Sequence, residues 1–407
     1  MDQNCVFQNA DMSFAARLIT YSGLLFLVVG TLRLLQSLVR GAYHCFLGQV
    51  LGHNVNFQMF AGKWAVVTGA SDGIGRAYAE QLAQKGINIW LISRTQSKLD
   101  EVAAVIQDKF KVETKTLSVD FSSNDRGCYE VIRKLISNLE VAVLVNNVGM
   151  SFPYPEYFTE VPDGDHLIDQ MIQANCTSGT LMMRLFLPGM ASRHSGVVIN
   201  VSSLSNMYPL PLLGVYAGTK SYMEFLSQAT ACEYQNLGVI VQSVKPAFVS
   251  TKMSKIRKAS LNVPTPDAYV RRALTTVGLE TSTYGYIPHK IRGYFQEVAF
   301  NSMPLHCMLS LSLRMMSGLR ALRYKKDKRE DPIQQLKKRQ PPEKLKRFPW
   351  ISRFASFGVV KYPASCVQLP ATNTNASSTQ SWLHGSFGSL IVTDSGNLVN
   401  PFMRVTN

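Results

Sequence analysis

Short apolar runs alternate with amphipathic stretches through the middle of the chain. Lys63-Trp-Ala-Val-Val-Thr-Gly69 is apolar and closes on a glycine, the pattern of a strand buried on both faces of a parallel sheet. From Ala70 to Leu82 the apolar positions fall at helical spacing. Ile87–Ile92 reads as a second strand and Thr116–Asp120 as a third. Val141–Asn146 reads as a fourth, breaking into Asn147-Val-Gly149. The alternation continues to Pro246 and predicts an α/β fold with a doubly wound parallel sheet.

The ends of the chain carry different patterns. Leu18–Leu32 is 15 residues without a charge, and Arg33 interrupts an apolar pattern that continues to Val39. About 20 residues cross a bilayer, and snorkelling of Arg17 and Arg33 lengthens the span. The segment is read as a membrane anchor; a cleaved signal peptide is the runner-up, but no small-x-small site follows. Arg33 and Arg40 behind it favour a cytosolic catalytic domain. Met303–Leu322, rich in Met and Leu with isolated arginines, suits an amphipathic helix on a membrane surface or a helix docked on the domain.

Composition sharpens this picture. The chain has 407 residues, 46% of them hydrophobic, enough for one α/β domain with extra segments at both ends. Seven scattered cysteines with no C-x-x-C read as reduced thiols, and the histidines show no ligand spacing, so no metal is expected. Of the net charge of +15, a large share lies between Arg320 and Arg353, with 13 Lys/Arg against 4 Asp/Glu. Beside a membrane segment such a stretch suits anionic headgroups; nucleic-acid binding has no accompanying fold signal and is not expected. Ala371–Ser381 is polar and reads as disordered.

The chemistry concentrates in Leu212-Leu-Gly-Val-Tyr216-Ala-Gly-Thr-Lys220. On a helix Tyr216 and Lys220 share a face, one turn apart. A phenol ordinarily titrates at about 10, and the ammonium is expected to favour the phenolate and bring it down. Ser203, thirteen positions before Tyr216, supplies a hydroxyl able to share a carbonyl oxygen with the phenol. Ser202 competes with it on sequence alone, and the spacing favours Ser203. This set suits an acid that protonates an oxygen while hydride reaches the attached carbon. Tyr-x-x-x-Lys also arises by chance, so the pair needs a cofactor site upstream.

That site is in the first strand-to-helix turn. Gly69, Gly73 and Gly75 let a Rossmann-type loop approach a pyrophosphate, with the helix N-terminus facing the anion. NAD sites carry an acid at the end of the second strand, and NADP sites an arginine. Ser93-Arg94-Thr95 therefore favours NADP(H), with an ordinary solvated cation as the bland alternative. Asp72 is a mild counter-signal, since some NADP sites carry a basic residue there. Asp120 closes the third strand, where it could meet the adenine.

Thr68-Gly-Ala-Ser-Asp-Gly-Ile-Gly75, Asn146-Asn-Val-Gly149, Asn175, Ser203, Tyr216, Lys220, Pro246-Ala247 and Thr251 carry a specific resemblance. The chain resembles the short-chain dehydrogenase/reductase superfamily over about residues 60–300. Gly149–Phe158, Met207–Leu213 and Lys255–Lys258 look most like the membrane-bound 17β-hydroxysteroid dehydrogenase type 12 and type 3 group, and the type 12, very-long-chain 3-oxoacyl-CoA reductase side of it. An inactive hydroxysteroid dehydrogenase-like group has phenylalanine in place of the tyrosine; this chain keeps Tyr216.

The resemblance implies roles. Tyr216 would protonate the carbonyl, Lys220 would bind the nicotinamide ribose, Ser203 would orient the carbonyl oxygen, and Asn175 would hold a relay water. It implies NADPH/NADP at Gly69, Ser71, Asp72, Gly73, Ile74, Gly75, Arg94, Asp120, Asn147, Tyr216, Lys220, Val249 and Thr251. The implied activity is NADPH-dependent reduction of a 3-oxoacyl-CoA in very-long-chain fatty-acid elongation. A 17-ketosteroid is the alternative substrate, and a non-catalytic scaffold a third reading. Lys252, Lys255, Arg257 and Lys258 are candidates for coenzyme A phosphates, or else a solvated basic loop. The resemblance further implies a homodimer, association with other elongation enzymes, and an endoplasmic-reticulum membrane location with the catalytic domain facing the cytosol.

The expected organisation is anchor and linker over 1–58, the NADP-binding domain over 59–300, an amphipathic and basic membrane-proximal segment over 301–340, and a disordered tail over 341–407. Members of the group can end in a dilysine retrieval signal. Lys337-Lys338-Arg339-Gln340 has that form but lies far from Asn407, so the longer product is expected to mask it.

Overall fold

The structure, a computed structural model, describes residues 3–327. The Lys337–Gln340 signal, most of the basic stretch and the 341–407 tail lie outside the described residues. Helix α1 (Gln3–Ala42) passes through a π-helical turn, Tyr43–Leu47, into the short α2 (Gly48–Val50). The sheet and its helices follow in alternation: β1 (Trp64–Thr68), α3 (Gly73–Ala83), β2 (Asn88–Ser93), α4 (Gln96–Phe110), β3 (Thr114–Ser118), α5 (Gly127–Ile136) and β4 (Val141–Asn146). Next come α6 (Gly164–Ile172), a π-helical turn at Gln173–Thr177, α7 (Ser178–Ser192), β5 (Gly196–Val201), α8 (Gly214–Tyr234) and β6 (Val239–Val244). The described part closes with α9 (Pro266–Leu274), β7 (Ser282–Thr283), α10 (Ile287–Ser302) and α11 (Leu305–Asp327).

The seven strands are all parallel, in the order β3-β2-β1-β4-β5-β6-β7. This is the expected doubly wound, Rossmann-type sheet. Successive side chains of a strand point to opposite faces, so each strand feeds two cores. Ala65, Val67, Ile89, Leu91, Val143 and Val145 pack with α3, α4 and α9. Trp64, Val66, Trp90, Ile92 and Leu144 pack with α5 and α7. Both faces are covered, which is why the strands read as unbroken apolar runs rather than as alternating ones.

Two details differ from expectation. β3 ends at Ser118, so Asp120 lies two residues beyond it, in a turn where its carboxylate accepts from the Ser122 N–H at 3.0 Å and hydroxyl at 2.6 Å. β7 went unanticipated because two residues carry no readable period.

At the N-terminal end, Ala16–Val50 is the one helical stretch among the described residues long and apolar enough to cross a membrane. Its side chains are exposed, Phe26 to 78%. The chain then docks: Arg272 donates to Gln49 Oε1 at 2.9 Å, the Val55 N–H donates to the Val277 carbonyl at 2.9 Å, and Phe57 is buried in the core. At the other end, α11 buries Met308, Ser312, Met316 and Arg320, a stripe at four-residue spacing, and leaves Leu311, Met315, Leu319 and Leu322 exposed. It is a docked helix with a second, apolar outer face.

Trp90 is the largest fully buried side chain, at 1% exposure in the centre of β2. Trp90→Ala is expected to cost about 3–5 kcal/mol of stability, read from chemical denaturation of the detergent-solubilised chain; a cost below about 1 kcal/mol would show that this core collapses around the cavity.

Candidate active site

Strand order reverses at β1 and β4, and the glycine turn sits at that switch point. Gly69 and Gly73 adopt φ of +64° and +58°, a region most side chains avoid. Gly75 is excluded from growing for another reason: a Cβ there would stand 2.3 Å from the Gly69 carbonyl oxygen and 2.4 Å from Asn147 Nδ2. Asp72 caps α3, its carboxylate accepting the Gly73 N–H at 2.7 Å. The remaining free N–H groups of this eleven-residue helix face the turn. The cradle fits a dinucleotide pyrophosphate.

Asn147 holds the cradle from the neighbouring strand end. Its amide donates to the carbonyls of Thr68 and Gly69, both at 3.2 Å, and its N–H donates to Thr68 Oγ1 at 3.0 Å. Ser71 and Ser93 hydroxyls meet at 3.0 Å. Arg94 is exposed at the end of β2, close enough to Asp120 for its charge to favour the carboxylate. Asp120 is thereby held below the ordinary carboxylate value: partial burial opposes this, but the Ser122 hydrogen bonds and the Arg94 charge prevail. Val249 is buried, and Thr251 lies against Gly73 from the far side of the cleft.

The catalytic candidates converge from three elements. Ser203 follows β5 in extended conformation, and its hydroxyl accepts from Ser205 N–H at 3.2 Å and hydroxyl at 2.9 Å. Tyr216 lies in the first turn of α8, its phenol hydrogen-bonded with the side chains of Ser203 and Ser205. Ser202 is turned away: its hydroxyl donates to the Lys220 carbonyl at 2.8 Å. Of the two serines, Ser203 is the one on the Tyr216 side.

Asn175 sits in the π-helical turn between α6 and α7, an irregularity that often marks a working site. Its amide nitrogen donates to the Met150 carbonyl and to Thr219 Oγ1, both at 2.9 Å, and its oxygen accepts the Met150 N–H at 2.7 Å. Lys220 Nζ donates to the Val201 carbonyl at 3.0 Å. Gly149 lies close to both: a Cβ there would meet Lys220 Nζ at 3.0 Å and Asn175 Oδ1 at 3.3 Å.

Burial controls the titration here. Lys220 is 6% exposed, and desolvation brings it from 10.5 to about 8 against a smaller opposing influence of Cys176. Burial also lifts the Tyr216 phenol above its ordinary value, and the hydroxyls of Ser203 and Ser205 pull it part of the way back. The expectation that Lys220 lowers the Tyr216 pKa is corrected: the neighbouring hydroxyls do so, and the net shift is upward. The lysine is itself only weakly held as a cation and faces the Val201 carbonyl. A phenol that keeps its proton at neutral pH remains a competent donor.

Several contributors were missed in the sequence. Ser205 lay two residues beyond Ser203 and repeats its chemistry. Glu224 shares the Tyr216–Lys220 face at the next turn of α8, a spacing that would have found it. Its carboxylate takes hydrogen bonds from Ser282 at 2.5 Å, from Gln228 and Asn206, and from Ser243. Burial opposes its charge, but Lys245 and these donors hold its pKa below the usual range. Of the basic residues after β6, Lys252 pairs with Asp72 at 2.5 Å and Lys255 donates to the Pro153 carbonyl at 3.1 Å. With Arg76 and Arg257 they line a cleft of about 820 Å³ beside the glycine turn. No metal-binding cluster occurs among the described residues.

Comparison with known proteins shows what this chain is similar to. Residues 63–261 match the short chain dehydrogenase family. Very-long-chain 3-oxoacyl-CoA reductase-B of Danio rerio is 48% identical over 294 residues, covering 72% of this chain and 92% of the relative. The Homo sapiens very-long-chain 3-oxoacyl-CoA reductase is 47% identical over 268 residues, covering 66% and 84%. Among solved structures, a short-chain dehydrogenase from Sphingobium yanoikuyae in complex with NADPH aligns at a TM-score of 0.50 and 25% identity, over 59% of this chain and 93% of that one.

Lys220 gives a pH signature. The unfolded chain holds the lysine proton up to about 10.5 and the folded chain only to about 8. Between these values the unfolded state binds more protons, so this group makes the fold gain stability as pH rises through the window. Activity that needs the ammonium runs the other way. For ketone reduction kcat/KM is expected to fall above pH ~8 by about tenfold per unit at most, and Lys220→Met should show low activity without that limb. A wild-type profile flat through pH ~9 would mean that Lys220 keeps its proton.

Proposed function

The chain belongs to the short-chain dehydrogenase family, and on that premise we propose that it reduces the 3-oxo group of very-long-chain acyl-CoA with NADPH. The observation that carries this reading is the 47–48% identity to reductases of that name, which runs through a site whose phenol, hydroxyl and lysine suit carbonyl reduction. The cofactor of the family is a nicotinamide dinucleotide, which supplies hydride when bound. Arg94, placed after β2 where NAD sites carry an acid, supports the phosphorylated form.

The residues divide the work. Gly69, Ser71, Asp72, Gly73, Ile74 and Gly75 hold the pyrophosphate side, with Asn147, Val249 and Thr251 closing around it and Asp120 towards the adenine. The Tyr216 hydroxyl donates its proton to the substrate oxygen as the carbon beside it is reduced. Ser203 donates a second hydrogen bond to the same oxygen and fixes its position. The hydroxyls of Ser203 and Ser205 favour the phenolate left behind, and Lys220 is placed for ribose hydroxyls. Asn175 keeps Met150 and Thr219 in register around them. Arg257 and Lys258, exposed after β6, are suited to coenzyme A phosphates.

The exposed apolar α1 and the outer face of α11 support attachment to a membrane, and Arg33 and Arg40 support a catalytic body on the cytosolic side. The elongation substrate points to the endoplasmic reticulum and to the other elongation enzymes as neighbours. Tyr222 and Phe225 on α8, 44% and 77% exposed, support a homodimer through that face.

The direct test is NADPH oxidation by membranes carrying the protein, with a long 3-oxoacyl-CoA and then with estrone or androstenedione. Turnover of the acyl-CoA alone supports the reading; turnover of the steroids alone overturns it. Tyr216→Phe is expected to lower kcat by about 10²–10⁴-fold with NADPH affinity kept. Arg94→Ala is expected to weaken NADPH by about 10–100-fold and leave NADH little changed; an equal effect on both would remove the assignment of NADPH.

A further inference from the structure

The C-terminal helix α11 is joined to the loop after β4 by an ion pair enclosed on all sides. Arg320 and Glu156 are 164 residues apart in sequence and are 3% and 2% exposed. Arg320 Nε donates to Glu156 Oε1, and the Tyr324 hydroxyl donates to Oε2 at 2.5 Å. The guanidinium lies over the rings of Tyr324 and Tyr157, 4.4 and 5.1 Å from their centroids. Desolvating such a pair offsets most of its attraction, so it adds little stability over an apolar contact. What it does well is hold one arrangement of two segments.

That arrangement bears on the reducing site. The Glu156 N–H donates to the Leu212 carbonyl at 3.0 Å, and Leu212 is held at φ +65°, a conformation costly for leucine, two residues before α8. Phe152, four residues before Glu156, packs in a small buried cluster with Leu213, Val215 and Tyr216. Met150 at the head of the loop is gripped by Asn175, and Lys255 from the segment after β6 donates to the Pro153 carbonyl. The loop between Met150 and Glu156 is thus the wall beside the phenol, and α11 is its outer support.

We propose that Arg320 is a positioning residue: through Glu156 it sets the wall beside Tyr216 along which a long acyl chain lies. The C-terminal helix thereby contributes to the preference for long 3-oxoacyl substrates over short ones. This rests on the assignment of Tyr216 and of the acyl-CoA substrate made above.

The experiment uses the full chain in membranes, with Arg320→Met, Glu156→Leu and the double variant. KM and kcat are measured for a long-chain 3-oxoacyl-CoA and for acetoacetyl-CoA, and NADPH affinity by quenching of protein fluorescence. Arg320→Met is expected to raise the long-chain KM by about tenfold or more, with acetoacetyl-CoA turnover and NADPH affinity nearly unchanged. The single variants leave a buried charge alone and can lose folded protein; the double variant removes both charges and guards against that. If the double variant is folded and still loses the long-chain preference, the pair positions the wall. If it is folded with a wild-type ratio of the two KM values, or if both substrates and NADPH suffer equally in Arg320→Met, the pair is structural only and the inference fails. A wild-type chain that turns over neither acyl-CoA would instead overturn the functional reading, and this inference with it.

Discussion

The site depends on two strand ends being held at contact distance where the sheet changes direction. Thr68 closes β1, and its hydroxyl donates to the Val145 carbonyl at 3.3 Å while accepting the N–H groups of Asn147 and Val148. Asn147 returns two hydrogen bonds to the carbonyls of Thr68 and Gly69. These groups have left the sheet ladder and need partners, and they find them in each other. The turn is drawn in so far that no side chain fits at Gly75. The N-terminus of α3 therefore faces the cleft at the carboxyl ends of the strands, and the candidate catalytic residues arrive at the same edge from β5 and α8.

A second constraint is electrostatic. Lys220, Asn175 and the head of α8 are packed into the layer beside β4 and β5, where water contributes little screening. Desolvation favours the neutral forms of both lysine and phenol. The result is a lysine near its titration point and a phenol that retains its proton, with two serine hydroxyls tempering the shift. The π-helical turn at Asn175 lets one amide join the segment after β4 to α8, so that backbone, donor and cation share one rigid frame.

Much of this was legible in the residues. Most strands were readable because a sheet covered on both faces favours apolar runs, and glycines follow the runs of β1 and β4. Tyr216, Lys220 and Ser203 were readable from spacing, since a helix turn fixes which side chains share a face. What escaped has a common physical cause. Spacing favoured Ser203 over the chemically identical Ser202, but did not show where Ser202 goes: its hydroxyl turns to the Lys220 carbonyl. Arg320 begins a run of basic residues read as suited to anionic headgroups; its burial requires Glu156, a partner no local pattern reveals.

The sequence by itself determined the order of the elements and the glycine turn, because these follow from periodicity and chirality along a short stretch of chain. Tertiary structure alone decided in which direction the phenol and the lysine titrate and where the C-terminal helix attaches. Those properties depend on desolvation and on contacts between distant segments, and neither is defined until the chain has closed around them.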